Sequence, residues 1–150
     1  MCADIYALLW EDDTSPARSR PTGLSRERIV TEAITMADAD GLAKLSMPRL
    51  ADRLGSGVMS LYRHVPGKRE LLALMYDTAL TDVPALPSDQ DWRPRLHTWA
   101  YAVHVFFRCH PWALPLATVN HPMGPKEFAW MDCALGVLER TPLSAAERLT

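Results

Sequence analysis

Apolar positions recur along this chain at helical spacing, in blocks set apart by Gly and Pro. In 25–40, Ile29, Ala33, Met36 and Ala37 share one face. Ser25 stands before that block as an N-cap and Gly41 follows it as a stop; Arg28 occupies the place where a Glu would complete a capping box. Leu42 and Leu45 then point back to a small core. Ser46 opens a second block, with Pro48 tolerated in its first turn and Leu50, Ala51 and Leu54 on its inner face. After the turn Gly55-Ser56-Gly57, a short third helix over 57–64 turns Leu61 and, just beyond it, Val65 inward. A fourth begins near Gly67, with Glu70 as a partial capping box and Leu71, Leu72, Met75 and Leu80 as its apolar side.

Pro84 and Pro87 mark 83–90 as a linker. Asp91 caps a long helix over 92–110, in which Leu96, Trp99, Ala100, Val103, Phe107 and His110 follow i, i+3, i+4, i+7 spacing until Pro111 stops it. A short turn of helix over 112–117 precedes the break at Pro122–Pro125. A further helix over 126–140 has Phe128, Met131, Leu135 and Leu138 in phase, and Pro142 closes it. No stretch alternates with period two, so the expected fold is all-α: an N-terminal three-helix bundle with a helix-turn-helix, followed by a second helical domain. The expected divisions are a mobile leader over 1–23, which shows neither period, the helix-turn-helix over 24–70, and the second domain over 71–150.

Two short helices joined by a Gly-containing turn present the second of them to a DNA major groove. With Leu61 and Val65 turned inward, Val58, Met59, Ser60, Tyr62, Arg63 and His64 are less committed to the core. Arg49 and Arg53, four apart on the preceding helix, both face outward toward phosphates. Charge agrees with this placement. The net charge of −2 hides a split: 15–70 carry ten Lys/Arg against six Asp/Glu, whereas 1–14 carry four acids and no base, and 71–150 carry six bases against eight acids. The positive excess therefore lies on the helix-turn-helix, where a polyanionic partner needs it. Arg18 and Arg20 in the leader fit either a plain tail or an arm reaching the DNA backbone or minor groove.

No apolar run approaches the ~20 residues of a membrane span, and Ile5 to Trp10 is too short and wrongly flanked for a signal sequence, so the expected compartment is the cytoplasm and no membrane partner is expected. Cys2, Cys109 and Cys133 are odd in number and widely spaced, which fits reduced thiols. His97 and His104 lie seven apart on one helical face, but no i, i+4 His pair, Cys-x-x-Cys or ligand-spaced carboxylate accompanies them, so neither a metal nor another cofactor is expected. No nucleophile motif is present, and an enzyme is not expected. Trp92, Trp99, Trp112 and Trp130 all lie beyond the helix-turn-helix; an aromatic core and an apolar ligand cavity both fit them. The cavity reading takes Trp99, Val103, His104, Phe107, Trp112, Trp130 and Met131 as its wall.

The run Leu61-Tyr62-Arg63-His64-Val65-Pro66-Gly67-Lys68, with Arg49-Leu50-Ala51-Asp52-Arg53-Leu54-Gly55 before it, resembles the TetR/AcrR family of transcriptional regulators. Residues 25–80 carry the resemblance. Asp91-Trp92-Arg93 and His110-Pro111-Trp112 extend it, more loosely, to the effector domain of the tetracycline-repressor branch. The resemblance implies a repressor that binds a palindromic operator in double-stranded DNA, is a homodimer in the complete protein, and is released by a small-molecule effector. It places Ser60 and Tyr62 at positions that touch bases or nearby backbone, Tyr62 and His64 at positions that reach phosphates, Lys68 at a phosphate contact near a helix N-terminus, and Arg49 where the second helix crosses the backbone. Met47 and Pro48 depart from the family pattern, as do the weakly polar Gly57, Val58 and Met59; Val58 and Met59 keep the chemistry to meet thymine methyls. Two rival readings use the same residues: a helical small-molecule- or metal-binding enzyme domain with an incidental helix-turn-helix, and a helix-turn-helix that binds another protein.

Near the end of the chain, Ser144 and Glu147 form an S-x-x-E capping box, the start signal of another helix, with Leu143 and Leu149 suited to its apolar face. The expectation is that the helical second domain is incomplete here, since the dimer-forming helices of the family lie beyond this point.

Overall fold

The computed structural model describes residues 5–10, 23–87, 91–119 and 121–148. These form eight α-helices and no strand among the described residues: α1 (Ile5–Trp10), α2 (Arg26–Asp40), α3 (Met47–Leu54), α4 (Val58–Tyr62), α5 (Lys68–Ala79), α6 (Trp92–Cys109), α7 (Ala113–Ala117) and α8 (Pro125–Leu138), with a 3₁₀ turn at Leu42–Lys44. Polar caps set the first boundaries. The Ser25 hydroxyl accepts from the Arg28 N–H at 3.2 Å, and the Ser46 hydroxyl from the Arg49 N–H at 3.4 Å. Each such cap is worth ~1 kcal/mol against Ala. At the end of α3, Gly55 is left-handed (φ 62°, ψ 35°), its N–H donating to Asp52 O and that of Ser56 to Ala51 O. Only glycine adopts that conformation without strain, and it turns α4 across α3.

The bundle core is the expected one. Ile29, Ala33, Met36 and Ala37 of α2 are buried with Leu50, Ala51 and Leu54 of α3, and Leu45, Leu61, Val65, Leu71 and Met75 close the same cluster. α5 packs along α2 and continues past the bundle, where α1 lies on one side of it and α8 on another; α6 and α8 pair beyond.

Three expectations are corrected. Within 1–23, read as an aperiodic leader, Ile5–Trp10 is helical and buries Leu9, because the apolar surface of α5 supplies the partner that a six-residue helix lacks alone. Residues 1–4 and 11–22, with Arg18 and Arg20, lie outside the described residues. In α6 the buried side chain is Phe106; Leu96, Trp99, Val103, Phe107 and His110 are half-buried and Ala100 is exposed. In α8, Trp130 and Val137 are buried, while Phe128 and Met131 are exposed and Leu135 and Leu138 half-buried. Spacing identifies an apolar row but not which flank of it meets a neighbour, and both helices rotate toward α5 and toward each other.

Candidate nucleic-acid interface and apolar cavity

α4 is held from behind and bare in front. Leu61 and Val65 are fully buried, and Val58 packs against the same core. Met59, one of the largest exposed apolar side chains, is 76% accessible, and Tyr62, one turn on, is 40% accessible. Arg63 lies beside them, with its guanidinium donating to the Ser60 hydroxyl at 2.9 Å. Gly57 is exposed with open space around it, and Ser60 and His64 are half-buried at the margins. A thioether, a phenol and a guanidinium on one short exposed face offer apolar contact to thymine methyls together with hydrogen bonds to base edges and phosphate.

The flanking cations are engaged within the protein. Arg49 donates to Lys44 O at 2.8 Å and pairs with Asp40 at 3.3 Å. Arg53, expected to face phosphate as well, is ion-paired with Glu32. Lys68 donates to Leu45 O at 2.8 Å. An ammonium has three donors, so this bond fixes the Lys68 nitrogen at the N-terminus of α5 and leaves two N–H groups for a phosphate.

Away from that face, α5, α6 and α8 line a cavity of about 380 Å³ that is open on one side. Trp99, Val103, Phe107, Trp130 and Met131 line it, as the cavity reading of the sequence places them. His104 does not reach it: it is exposed and stacks near Tyr101. Trp112 does not either, because its indole N–H is drawn to Asp38 of α2 at 2.6 Å. The residues that sequence reasoning passed over include Tyr76, Met123, Glu127 and Arg148. Glu127 was legible as a lone acid one turn before Trp130 and Met131. Trp99 and Trp130 satisfy their N–H groups on backbone carbonyls, Trp130 O at 3.0 Å and Thr81 O at 2.9 Å, and so present apolar ring surface to the space.

The polar side chains that line this cavity are those of Tyr76, Glu127 and Arg148, with His121 hydrogen-bonded to Glu127. His121 bridges two oxygens, Val119 O at 3.0 Å from Nδ1 and the Glu127 carboxyl at 2.9 Å from Nε2. Burial lowers the His121 pKa, but the Val119 carbonyl and Glu127 outweigh it and the net shift is upward. Burial raises the Glu127 carboxyl against the opposing pull of His121. Burial, and then the nearby Glu127, push the Tyr76 hydroxyl up to about 12, so it stays protonated.

Two polar clasps join the cavity helices to the rest. The Asp77 carboxylate of α5 accepts from the backbone N–H groups of Lys126 at 2.9 Å and Glu127 at 3.4 Å, capping the N-terminus of α8. Gly124 is required there, since a Cβ on it would stand 2.2 Å from Asp77 Oδ1. Asp38 of α2 accepts from His110 Nδ1 at 2.8 Å as well as from Trp112. Neither acid carried a sequence signal, since both partners lie far along the chain.

Known proteins share this arrangement. The profile for "Bacterial regulatory proteins, tetR family" matches residues 29–75, and that for "Tetracyclin repressor-like, C-terminal domain" matches 83–150. The transcriptional repressor DrrR1 of Streptomyces coeruleorubidus is 39% identical over 147 residues, covering 97% of this chain and 54% of its own length. The structure of the TetR family protein ActR of Streptomyces coelicolor in complex with (S)-DNPA aligns with a TM-score of 0.77 at 32% identity, over 84% of this chain and 63% of ActR. The ActR complex with actinorhodin aligns with a TM-score of 0.75 at 31% identity, over 84% of this chain and 60% of ActR. The chain thus spans little more than half the length of these relatives.

Proposed function

The chain belongs to the TetR family of regulators, and from that premise we propose that it is the DNA-binding and effector-sensing part of a ligand-responsive transcriptional repressor. The observation that carries this reading is the course of α5. The helix starts at Lys68, beside the exposed face of α4, and ends in the cavity wall at Tyr76 and Leu80. Twelve residues at 1.5 Å each span ~18 Å, so one rigid element touches both sites.

In this reading Met59, Tyr62 and Arg63 meet base edges, and Lys68 meets a phosphate. Gly57, Val58, Ser60 and His64 frame that face, and Arg49 positions the turn before α3 more than it reaches DNA. A ligand entering between α6 and α8 displaces α8, and the Asp77 cap passes the displacement to α5. In a homodimer on a palindromic operator, a change in the angle of α5 alters the spacing of two recognition helices, which must engage together. The cytoplasm, where DNA is met, is the compartment this reading requires; no described helix is long and apolar enough to cross a membrane.

The compounds bound to ActR, (S)-DNPA and actinorhodin, are the first probes. Saturable quenching of Trp99 and Trp130 fluorescence, together with release of a bound operator duplex, is expected. Quenching that leaves duplex affinity unchanged removes the coupling, because an effector acts only through a difference in affinity between states.

A further inference from the structure

We infer that α1 is a strap that fastens the start of α8 to α5, so that the two helices move together when the cavity is filled. Only that last step rests on the effector reading; the fastening itself does not. Three contacts place the strap. On its inner side Leu9 is buried and Ile5 packs against the same core, which seats α1 on α5. At its end, the Trp10 indole lies tilted against Phe128 of α8, 5.6 Å between ring centroids, and its N–H donates to Met123 O at 3.4 Å. At its flank, Leu8 O accepts from the guanidinium of Arg26, the first residue of α2, at 3.5 Å. Met123 also lines the cavity, so a displacement there is felt directly at Trp10.

What the strap covers is the Asp77 joint. Leu8 and Leu9 face a gap of about 200 Å³ that Asp77, Thr78 and Arg26 also line. Asp77 is the acid that caps α8 through the backbone N–H groups of Lys126 and Glu127. Burial is the largest influence on its carboxyl and raises it above its ordinary pKa, against the pull of those N–H groups and of Lys126. Hydrogen bonds of this kind are stronger where water is excluded. With α1 seated, the cap is covered on this side and Trp10 holds α8 from outside. With α1 lifted, the cap is open to water and α8 is released from Trp10. A six-residue helix has little stability of its own, so α1 is seated by what it touches.

Hydrogen exchange read by mass spectrometry, on the chain and on Trp10→Ala, tests the fastening without DNA or any effector. Trp10 is 53% exposed, so the substitution leaves the core intact. Amides of 123–130, among them the capping N–H groups of Lys126 and Glu127, should exchange roughly 5- to 10-fold faster in the variant, while those of α3, α4 and the middle of α6 hold. Acceleration confined to 5–10, or spread evenly over the chain, overturns the strap. The consequence for control is measured separately, with the two compounds bound to ActR as probes. The factor by which (S)-DNPA or actinorhodin weakens duplex binding by the parent chain should shrink toward one in Trp10→Ala, because α8 then moves without drawing α5 with it. A factor as large in the variant as in the parent overturns the coupling role of α1. A parent chain that shows no such factor faults the repressor reading instead, and the exchange result still decides whether α1 fastens the joint.

Discussion

Two residues of α4 with opposite exposure separate structure from recognition. Leu61 is fully buried under the recognition face. Leu61→Ala should therefore cost ~2–5 kcal/mol in urea unfolding, from lost packing and the cavity left behind. Met59 makes little of the core, so Met59→Ala should leave the unfolding midpoint within ~0.5 kcal/mol of the original and still weaken selected duplex. A Met59→Ala chain that binds its duplex as before would remove α4's apolar contact from recognition. Lys68→Ala should lower the log–log salt slope of duplex binding by ~1, the signature of one phosphate contact. At His121 the sign of the pH effect is set by its raised pKa: the stability it contributes is fully present below its ordinary value of 6.5 and lost as pH rises through the higher folded value. The thermal midpoint should thus fall as pH rises above about 6.5, and His121→Gln should flatten that fall. A profile unchanged by the substitution would dissociate His121 from it.

Among elements, the α5–α8 contact is the least forgiving. Asp77 caps α8 and excludes any side chain at position 124. Gly124→Ala should destabilise the chain, and the same change in an Asp77→Gly background should cost markedly less, a non-additivity readable in a double-mutant cycle. Additive costs would show that the cap does not join the two helices. Legibility followed the same division between local and distant partners. Caps at Ser25, Ser46 and Asp91, the Gly41 and Gly55 stops, and the Leu61–Val65 anchor were all readable, because each acts within a turn of its own position. The Ser144–Glu147 box is also formed, with the Ser144 N–H donating to Glu147 at 2.8 Å. The rotation of α6 and α8, the burial of Leu9, and the Asp38 and Asp77 clasps were not readable, since their partners lie dozens of residues away and an alternation of apolar positions names no partner. The pairing of Arg49 with Asp40 and of Arg53 with Glu32 escaped for the same reason: outward position on one helix does not show what the next helix brings beside it.

For the whole molecule, one continuous helix, α5, joins the exposed face of α4, proposed to meet DNA, to an aromatic cavity. Five of the seven residues read from the sequence as cavity wall do line it, and the two that do not, His104 and Trp112, are taken up by Tyr101 and Asp38. The cavity's aromatic character was therefore legible, and its polar chemistry, at Tyr76 and Glu127, was not. Everything proposed for the effector side presupposes that α4 reads DNA. Selection of bound duplex from a random pool, performed with the chain and with its Met59→Ala and Tyr62→Ala variants, tests that most directly. The account predicts an enriched sequence for the parent chain and weaker or altered enrichment for both variants at the same salt. A pool that emerges unenriched at low salt, or one equally enriched by all three proteins, would contradict it.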